Sequence, residues 1–336
     1  MTQQKFKTIK TTDVRKGMFV ILPLSWHQHP FLTNQFVVKS DAEIDKIKAM
    51  KIHEIEVDPD RSEDMQRKAP PDAWEKSEAA PKIVPDALKE ALRDTQAPPD
   101  RKAASIRQES IAMMKNLLDN PTAENISEAK KGISEIVTLI LKEEDTIYHL
   151  LKITSYDHYT YTHSVSVGVL AVALAKKLFK DTKNHDIQAL GAGFFLHDMG
   201  KVGIDNNIIN KPGKLDDEEW REMRRHPSLG FKLLHDTRQL TDECRIIVLQ
   251  HHERVDGTGY PKGLRGNDIH IYARICAIAD VYDALTSDRP YRKKMVPFDA
   301  LKLMREQMMQ HFQKDLFEQF VRLFKPPDGM QAQGKI

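Results

Sequence analysis

The sequence predicts a mainly α chain: a small α+β domain over residues 1–58, a proline- and charge-rich linker over 59–100, and an all-helical domain over 101–330. Three observations predict this. Short β-branched runs are confined to the first 58 residues, prolines from Pro59 to Pro99 cluster among charged residues and alanines, and beyond Asp100 apolar residues recur at helical spacing.

In the front domain, Met18–Leu22 and Phe36–Val38 read as strands, and Ile52, Glu54, Glu56 and Val57 alternate as a third. Between the second and third, Ser40 followed by Glu43 has the spacing of a capping box, and Ile44 with Ile47 forms the apolar stripe of the helix it opens. In the linker, Asp86–Asp94 has the makings of a brief helix, but nothing in its composition obliges it to dock, so a flexible connection is expected. In the third segment Ile106, Ser110, Met113 and Leu117 mark one helix, and Ile126, Ile133, Ile136, Val137 and Ile140 the next. Further helical stretches are expected at about 144–155, 160–180, 185–199, 216–226, 229–235, 241–252, 272–286 and 298–324, separated by Gly, Pro and Asp.

Composition narrows the function classes. With 40% hydrophobic and 30% charged residues the chain is ordinary for a globular protein, and a net charge of +2 offers no whole-molecule field for a nucleic acid polymer or an anionic membrane. Cys244 and Cys276 are too few for a disulfide framework, and Met1–Lys10 lacks the apolar core of a signal peptide, so the expected location is the cytoplasm. The most apolar run, Val165–Ala175, is interrupted by Ser166 and Gly168 and falls short of the roughly 20 residues that span a bilayer. It reads as a buried helix, and no membrane insertion is expected.

The chemistry-bearing residues follow apolar stretches. Ala192–Leu196 runs straight into His197 and Asp198, with Gly200 and Lys201 beyond; taken alone, the pair reads better as a salt-bridged helix end than as a metal site. A second cluster tips that balance: Ile246–Leu249 leads into His251, His252 and Glu253, and adjacent imidazoles rarely serve one purpose in a core. His226 is expected to end the helix opened by Leu215 and Asp216. Asp280 lies within Ile275–Val281, where a lone charge needs a cation nearby, and His163 opens the apolar helix of Val165, Val167, Val169 and Leu170. Five histidines and two aspartates in one helical bundle can supply two metal shells bridged by a carboxylate. Between the His pair and Asp280, Asp256-Gly257-Thr258-Gly259-Tyr260-Pro261 has two glycines that permit positive φ and close backbone approach to a ligand.

The ordered set His197-Asp198-Met199-Gly200-Lys201, His251-His252-Glu253 and Asp256–Pro261 resembles the signature of HD-GYP phosphodiesterases. The resemblance runs from about His149 to about Met308, roughly half of the chain, and includes Thr286-Ser287-Asp288-Arg289-Pro290-Tyr291-Arg292; Met199 stands where Ile is usual. The first 58 residues also resemble a small domain of unassigned function found ahead of HD-GYP domains.

The resemblance implies an HD-type helical domain that hydrolyses cyclic di-GMP to pGpG, or onward to GMP, through a metal-activated hydroxide. It implies two divalent ions, with iron or manganese ranked first among the iron, manganese and zinc that such donors suit: one on His163, His197, Asp198 and Asp280, the other on Asp198, His226, His251 and His252, with Asp198 bridging. Lys201 would serve the phosphate beside Asp198, while Asp256, Gly259, Tyr260, Pro261, Arg289 and Arg292 would hold the nucleotide. Some members bind a third ion through a Glu at the position of Tyr159, so two ions are expected. The same chemistry on cyclic GMP-AMP is the nearest alternative. A non-catalytic cyclic-dinucleotide receptor is disfavoured by the intact ligand set, and another HD-type enzyme by the Asp256–Pro261 element. A regulatory protein partner or oligomerisation fits a front domain without a receiver-type pattern.

Overall fold

The computed structural model describes residues 6–24, 31, 34–50, 52–59, 61–62, 82–153, 160–180, 184–211, 213–288 and 293–325. Four strands near the N-terminus, β1 (Lys7–Lys10), β2 (Phe19–Ile21), β3 (Gln35–Val37) and β4 (Glu54–Asp58), form an antiparallel sheet in the order β1-β4-β2-β3. β4 is central, pairing Val57 with both Lys7 and Val20, and its alternation turns Ile55 and Val57 into a small core with Val14, Val20, Val38 and Ile47. α1 (Asp41–Ala49) starts at Ser40 with the expected capping box: the Glu43 N–H donates to Ser40 Oγ, and the Glu43 carboxylate accepts from the Ser40 N–H. β1 was not expected. Its Lys-Thr-Ile-Lys sequence carries one large apolar residue, and only pairing along β4 makes it a strand.

The remaining helices are α2 (Asp86–Arg93), α3 (Pro99–Asp119), α4 (Ala123–Lys142), α5 (Glu144–Lys152), α6 (Thr160–Leu178), α7 (Ile187–Phe195), α8 (Asn206–Ile209), α9 (Asp217–Met223), α10 (His226–Asp236), α11 (Asp242–Gln250), α12 (Ile271–Thr286), α13 (Pro297–Gln307) and α14 (Lys314–Val321). α6 is the expected buried helix, its Val165–Ala175 stretch enclosed on nearly every side by α7, α12 and α3. No helix among the described residues is long and apolar enough to cross a membrane.

Three expectations are corrected. The 59–100 segment is not a free connection over its described C-terminal part: Ile83, Val84 and Leu88 are buried in the main helical core, and the Asn116 side-chain amide donates to the Lys82 carbonyl. Three apolar residues among charges look too sparse to dock, yet Ile83 and Val84 just ahead of the short α2 and Leu88 on it all enter the main core, and α2 packs against α3 and α4. The stretch read as one helix over 298–324 is broken at Met308–Gln313, where a short 3-10 turn separates α13 from α14. Finally, His226 does not end a helix but begins α10, because Pro227 lacks an N–H and is suited to a first helical turn.

Candidate metal centre

Six of the seven expected ligands sit where a helix begins or has just ended. His163 is in the first turn of α6, His197 and Asp198 follow α7, His226 opens α10, His251 and His252 follow α11, and only Asp280 lies within a helix, α12. The helices expected to run through 185–199 and 241–252 stop short of these residues. That ending matters chemically, because side chains on adjacent helical residues diverge by about 100°. Off the helix, His251 and His252 place their Nε2 atoms 3.2 and 3.1 Å from the same atom, Nε2 of His226.

Backbone carbonyls set the tautomers. Nδ1 of His197 faces the Phe194 carbonyl at 2.8 Å, Nδ1 of His226 faces the Met223 carbonyl at 2.7 Å, and Nδ1 of His251 faces the Val248 carbonyl at 3.0 Å. Carbonyls only accept, so each Nδ1–H donates and each Nε2 of a neutral ring presents a lone pair to the interior. Lone pairs of His226 and His251 facing each other at 3.2 Å repel unless a cation lies between them. His197 Nε2 and Asp198 Oδ1 are buried and make no hydrogen bond, the arrangement expected of ligand atoms and an expensive one without a cation.

The carboxylates complete two donor sets. Asp198 with His226, His251 and His252 forms one, His163 with His197 and Asp198 the other, the donor atoms in each lying within 4.8 Å of one another. Asp198 belongs to both. Asp280 faces His163 Nε2 at 3.1 Å and His252 Nδ1 at 3.4 Å, between the two sets. Lys201 Nζ, which lines the cleft, donates to Asp198 Oδ2 at 2.5 Å.

Electrostatics hold His197, His226 and His252 neutral, ready to act as ligands. Burial pushes His197 down to about 4 and His226 down to about 3, the Asp198 carboxylate only partly opposing it, so both rings are neutral at pH 7. Burial also holds His252 well below its usual value. Burial would likewise lower His163, but its hydrogen bonds to Asp280 and Asp283 outweigh that and push it up to about 9. Burial works against ionising Asp198 and Asp280, yet Lys201 and the imidazoles around Asp198, and His163 with its neighbours around Asp280, hold both below the carboxylate range.

Sequence reasoning missed one residue here and named a second without a role. Asp283, buried on α12, accepts hydrogen bonds from Nδ1–H of His163 at 2.7 Å and from Ser287 Oγ. Its position three residues after Asp280, on the same helix face, is a signal that was present. Glu253, buried after the His pair, accepts from the Lys262 and Leu264 N–H groups at 2.7 and 2.9 Å and so folds the following turn back toward the centre.

Of the Asp256–Pro261 element, only Tyr260 lines the cleft above the metal-binding residues. Its ring stacks on His252 with centroids 4.6 Å apart, and burial together with Asp280 and Asp198 raises its phenol, which stays protonated. Asp256 instead accepts from Thr258 N–H and Oγ1 and shapes the turn. Gly259 is where close approach is needed: a Cβ there would lie 2.4 Å from Arg254 N and 2.5 Å from His252 O. Tyr159, Arg289 and Arg292 lie outside the described residues. The cleft measures about 490 Å³ and is lined by Lys201, Tyr260 and metal-binding side chains together with Lys211, Lys214, Trp220 and Met223.

Comparison with known proteins sets this centre in a family. The HD domain model matches residues 146–316, and a domain of unknown function, DUF3391, matches residues 6–142, beyond the 1–58 limit expected for the front domain. A cyclic di-GMP phosphodiesterase of Pseudomonas aeruginosa is 35% identical over 94% of this chain and 76% of its own length. A 3′3′-cGAMP-specific phosphodiesterase of Vibrio cholerae is 39% identical over 45% of this chain and 32% of its own. A solved structure of an HDG"Y"P protein from Bdellovibrio bacteriovorus aligns with a TM-score of 0.61 over 96% of this chain and all of its own, at 19% identity, a likeness of fold.

Proposed function

Because the chain belongs to the HD-domain family, we propose that it is a metal-dependent phosphodiesterase that hydrolyses cyclic di-GMP to the linear dinucleotide pGpG. The observation that carries the reading is the pair of donor sets sharing Asp198, with Lys201 beside it and the cleft above. His163, His197, Asp198 and Asp280 would hold one divalent ion and Asp198, His226, His251 and His252 the other, iron or manganese by the donor chemistry. Bound divalent ions neutralise a phosphodiester and make a strong nucleophile available at neutral pH.

The chain's own groups do the rest. Nδ1 hydrogen bonds to backbone carbonyls hold His197, His226 and His251 in the ligating tautomer, and Asp283 does the same for His163. The Lys201 ammonium, half-buried and already paired with Asp198, meets the phosphate charge that builds up on attack and is placed to protonate the leaving 3′ oxygen. Tyr260, protonated throughout, donates a hydrogen bond to the nucleotide. Arg289 and Arg292 are assigned to the same nucleotide by the family signature. The front segment acts as a regulatory unit in a cytoplasmic enzyme, answering to a protein partner or to self-association, and supplies no group to the centre.

Cyclic GMP-AMP is the second reading, favoured by the Vibrio cholerae relative. One experiment separates them: protein purified anaerobically and loaded with iron or manganese is analysed for metal and assayed on both cyclic dinucleotides. About two ions per chain and faster turnover of cyclic di-GMP are expected. Three tightly held ions would overturn the dinuclear assignment, and Tyr159→Glu is the variant expected to add a third. Metal-loaded protein that cleaves neither compound would overturn the function.

A further inference from the structure

Trp220 has no part in the reading so far. In the middle of α9 it is 45% exposed, one of three large apolar side chains among the described residues that face solvent to such a degree, and of the three it alone lines the cleft. An exposed aromatic on a helix is ordinary in isolation. This one is part of an ordered stack. The Arg224 guanidinium carbon lies 5.8 Å from the Trp220 ring centroid and 5.4 Å from that of Tyr260, and Tyr260 in turn lies on His252. From the centre outward, His252, Tyr260, Arg224 and Trp220 follow one another as neighbouring flat groups, and His252, Tyr260 and Trp220 line the cleft.

The opposite charges are accounted for at one end only. Lys201 and the metal-binding side chains provide for a single phosphodiester. A cyclic dinucleotide carries a second phosphate and two purines, which need an anion-binding and an aromatic surface one nucleotide away. The same cleft has them: Lys214 is exposed on its wall, and Lys211 lies beside it, tied to Glu219 at 2.5 Å.

We infer that Trp220 is the stacking platform for one purine of the substrate, with Lys214 meeting the phosphate that is not cut. The inference rests on the cyclic-dinucleotide reading above and deepens it. Arg224, between two rings, holds the platform at a fixed distance from the centre. Stacking accepts any purine face, so the platform adds affinity for guanine and adenine alike and does not choose between cyclic di-GMP and cyclic GMP-AMP.

The test uses the full-length, metal-loaded enzyme. Trp220→Ala should raise KM for both cyclic dinucleotides by roughly 5- to 100-fold, the range of one lost base stack, with kcat within about threefold and metal content unchanged. Trp220→Phe should stay within a few-fold of wild type. Hydrolysis of methyl p-nitrophenyl phosphate, a diester without a base, should be unaffected by either change. Lys214→Ala should raise KM without the Trp220 variants' insensitivity on the base-free ester being lost. Unchanged KM in Trp220→Ala, or an equal loss on the base-free ester, would overturn the inference. A separate arm tests binding without turnover. In a Trp26→Phe, Trp74→Phe background treated with chelator, cyclic di-GMP should quench the fluorescence of Trp220, the remaining tryptophan. Saturable quenching in a protein that cleaves neither dinucleotide would sink the phosphodiesterase reading and keep the platform; hydrolysis without quenching would do the reverse.

Discussion

Asp198 concentrates the chemistry of this chain in one side chain: its two oxygens face four imidazoles and one ammonium from a position that is 1% exposed. Asp198→Ala should therefore empty both donor sets, leaving a folded protein with little metal and less than about 1% of wild-type hydrolysis; near-full metal content would refute the bridging role. Asp283→Ala is the graded counterpart. It removes only the group that orients His163, so metal affinity should fall by about 10- to 100-fold while activity returns at saturating metal, as a metal titration would show.

The histidines also make metal-free protein pH-sensitive in two directions. His197 and His226 sit below their unfolded value, so the unfolded chain binds more protons and stability falls as pH drops from about 6.5 toward 4. His163 is raised to about 9, so its contribution is complete below about 6.5 and is lost as pH rises through 9. Urea midpoints of chelator-treated protein should peak near neutrality; a midpoint independent of pH from 4 to 9 would contradict both assignments.

At the scale of elements, the turn after α7 must lie against the start of α10 for Asp198 to reach His226. Gly200 makes that contact. A Cβ there would fall 1.8 Å from the His226 carbonyl oxygen and 2.4 Å from Gly230 N, both backbone atoms that no rotamer can move aside. Gly200→Ala should cost about 3 kcal/mol or more by urea unfolding and weaken metal binding together with it. A variant of wild-type stability would mean that the two elements can separate without consequence.

At the scale of the whole molecule, the boundary between front segment and helical domain decides what can be cut away. Ile83, Val84 and Leu88 are buried against α3 and α4. A chain beginning near Asp100 loses all three, at about 2 kcal/mol each before the entropy regained, whereas one beginning at Lys82 keeps them. The shorter chain should melt roughly 10 °C lower than the longer, and the longer should retain metal and hydrolysis. Equal melting temperatures would show that α2 contributes nothing, and loss of activity from a folded, metallated chain starting at Lys82 would place a catalytic group in the first 81 residues.

What the sequence determined by itself was the helical class of the main domain, the Ser40–Glu43 cap, the buried 165–175 helix and the identity of the five histidines and two aspartates now gathered at the centre. Those follow from local rules, apolar periodicity and caps, or from residue types too costly to bury without a cation. The tertiary structure decided what depends on partners distant in sequence. β1 exists because β4 pairs with it, and α2 docks because α3 and α4 offer a groove. His226 begins a helix rather than ending one, and Asp283 matters because α6 brings His163 to it across 120 residues. Trp220 acquires meaning only beside Arg224 and Tyr260, since an exposed indole in a sequence says nothing about what faces it.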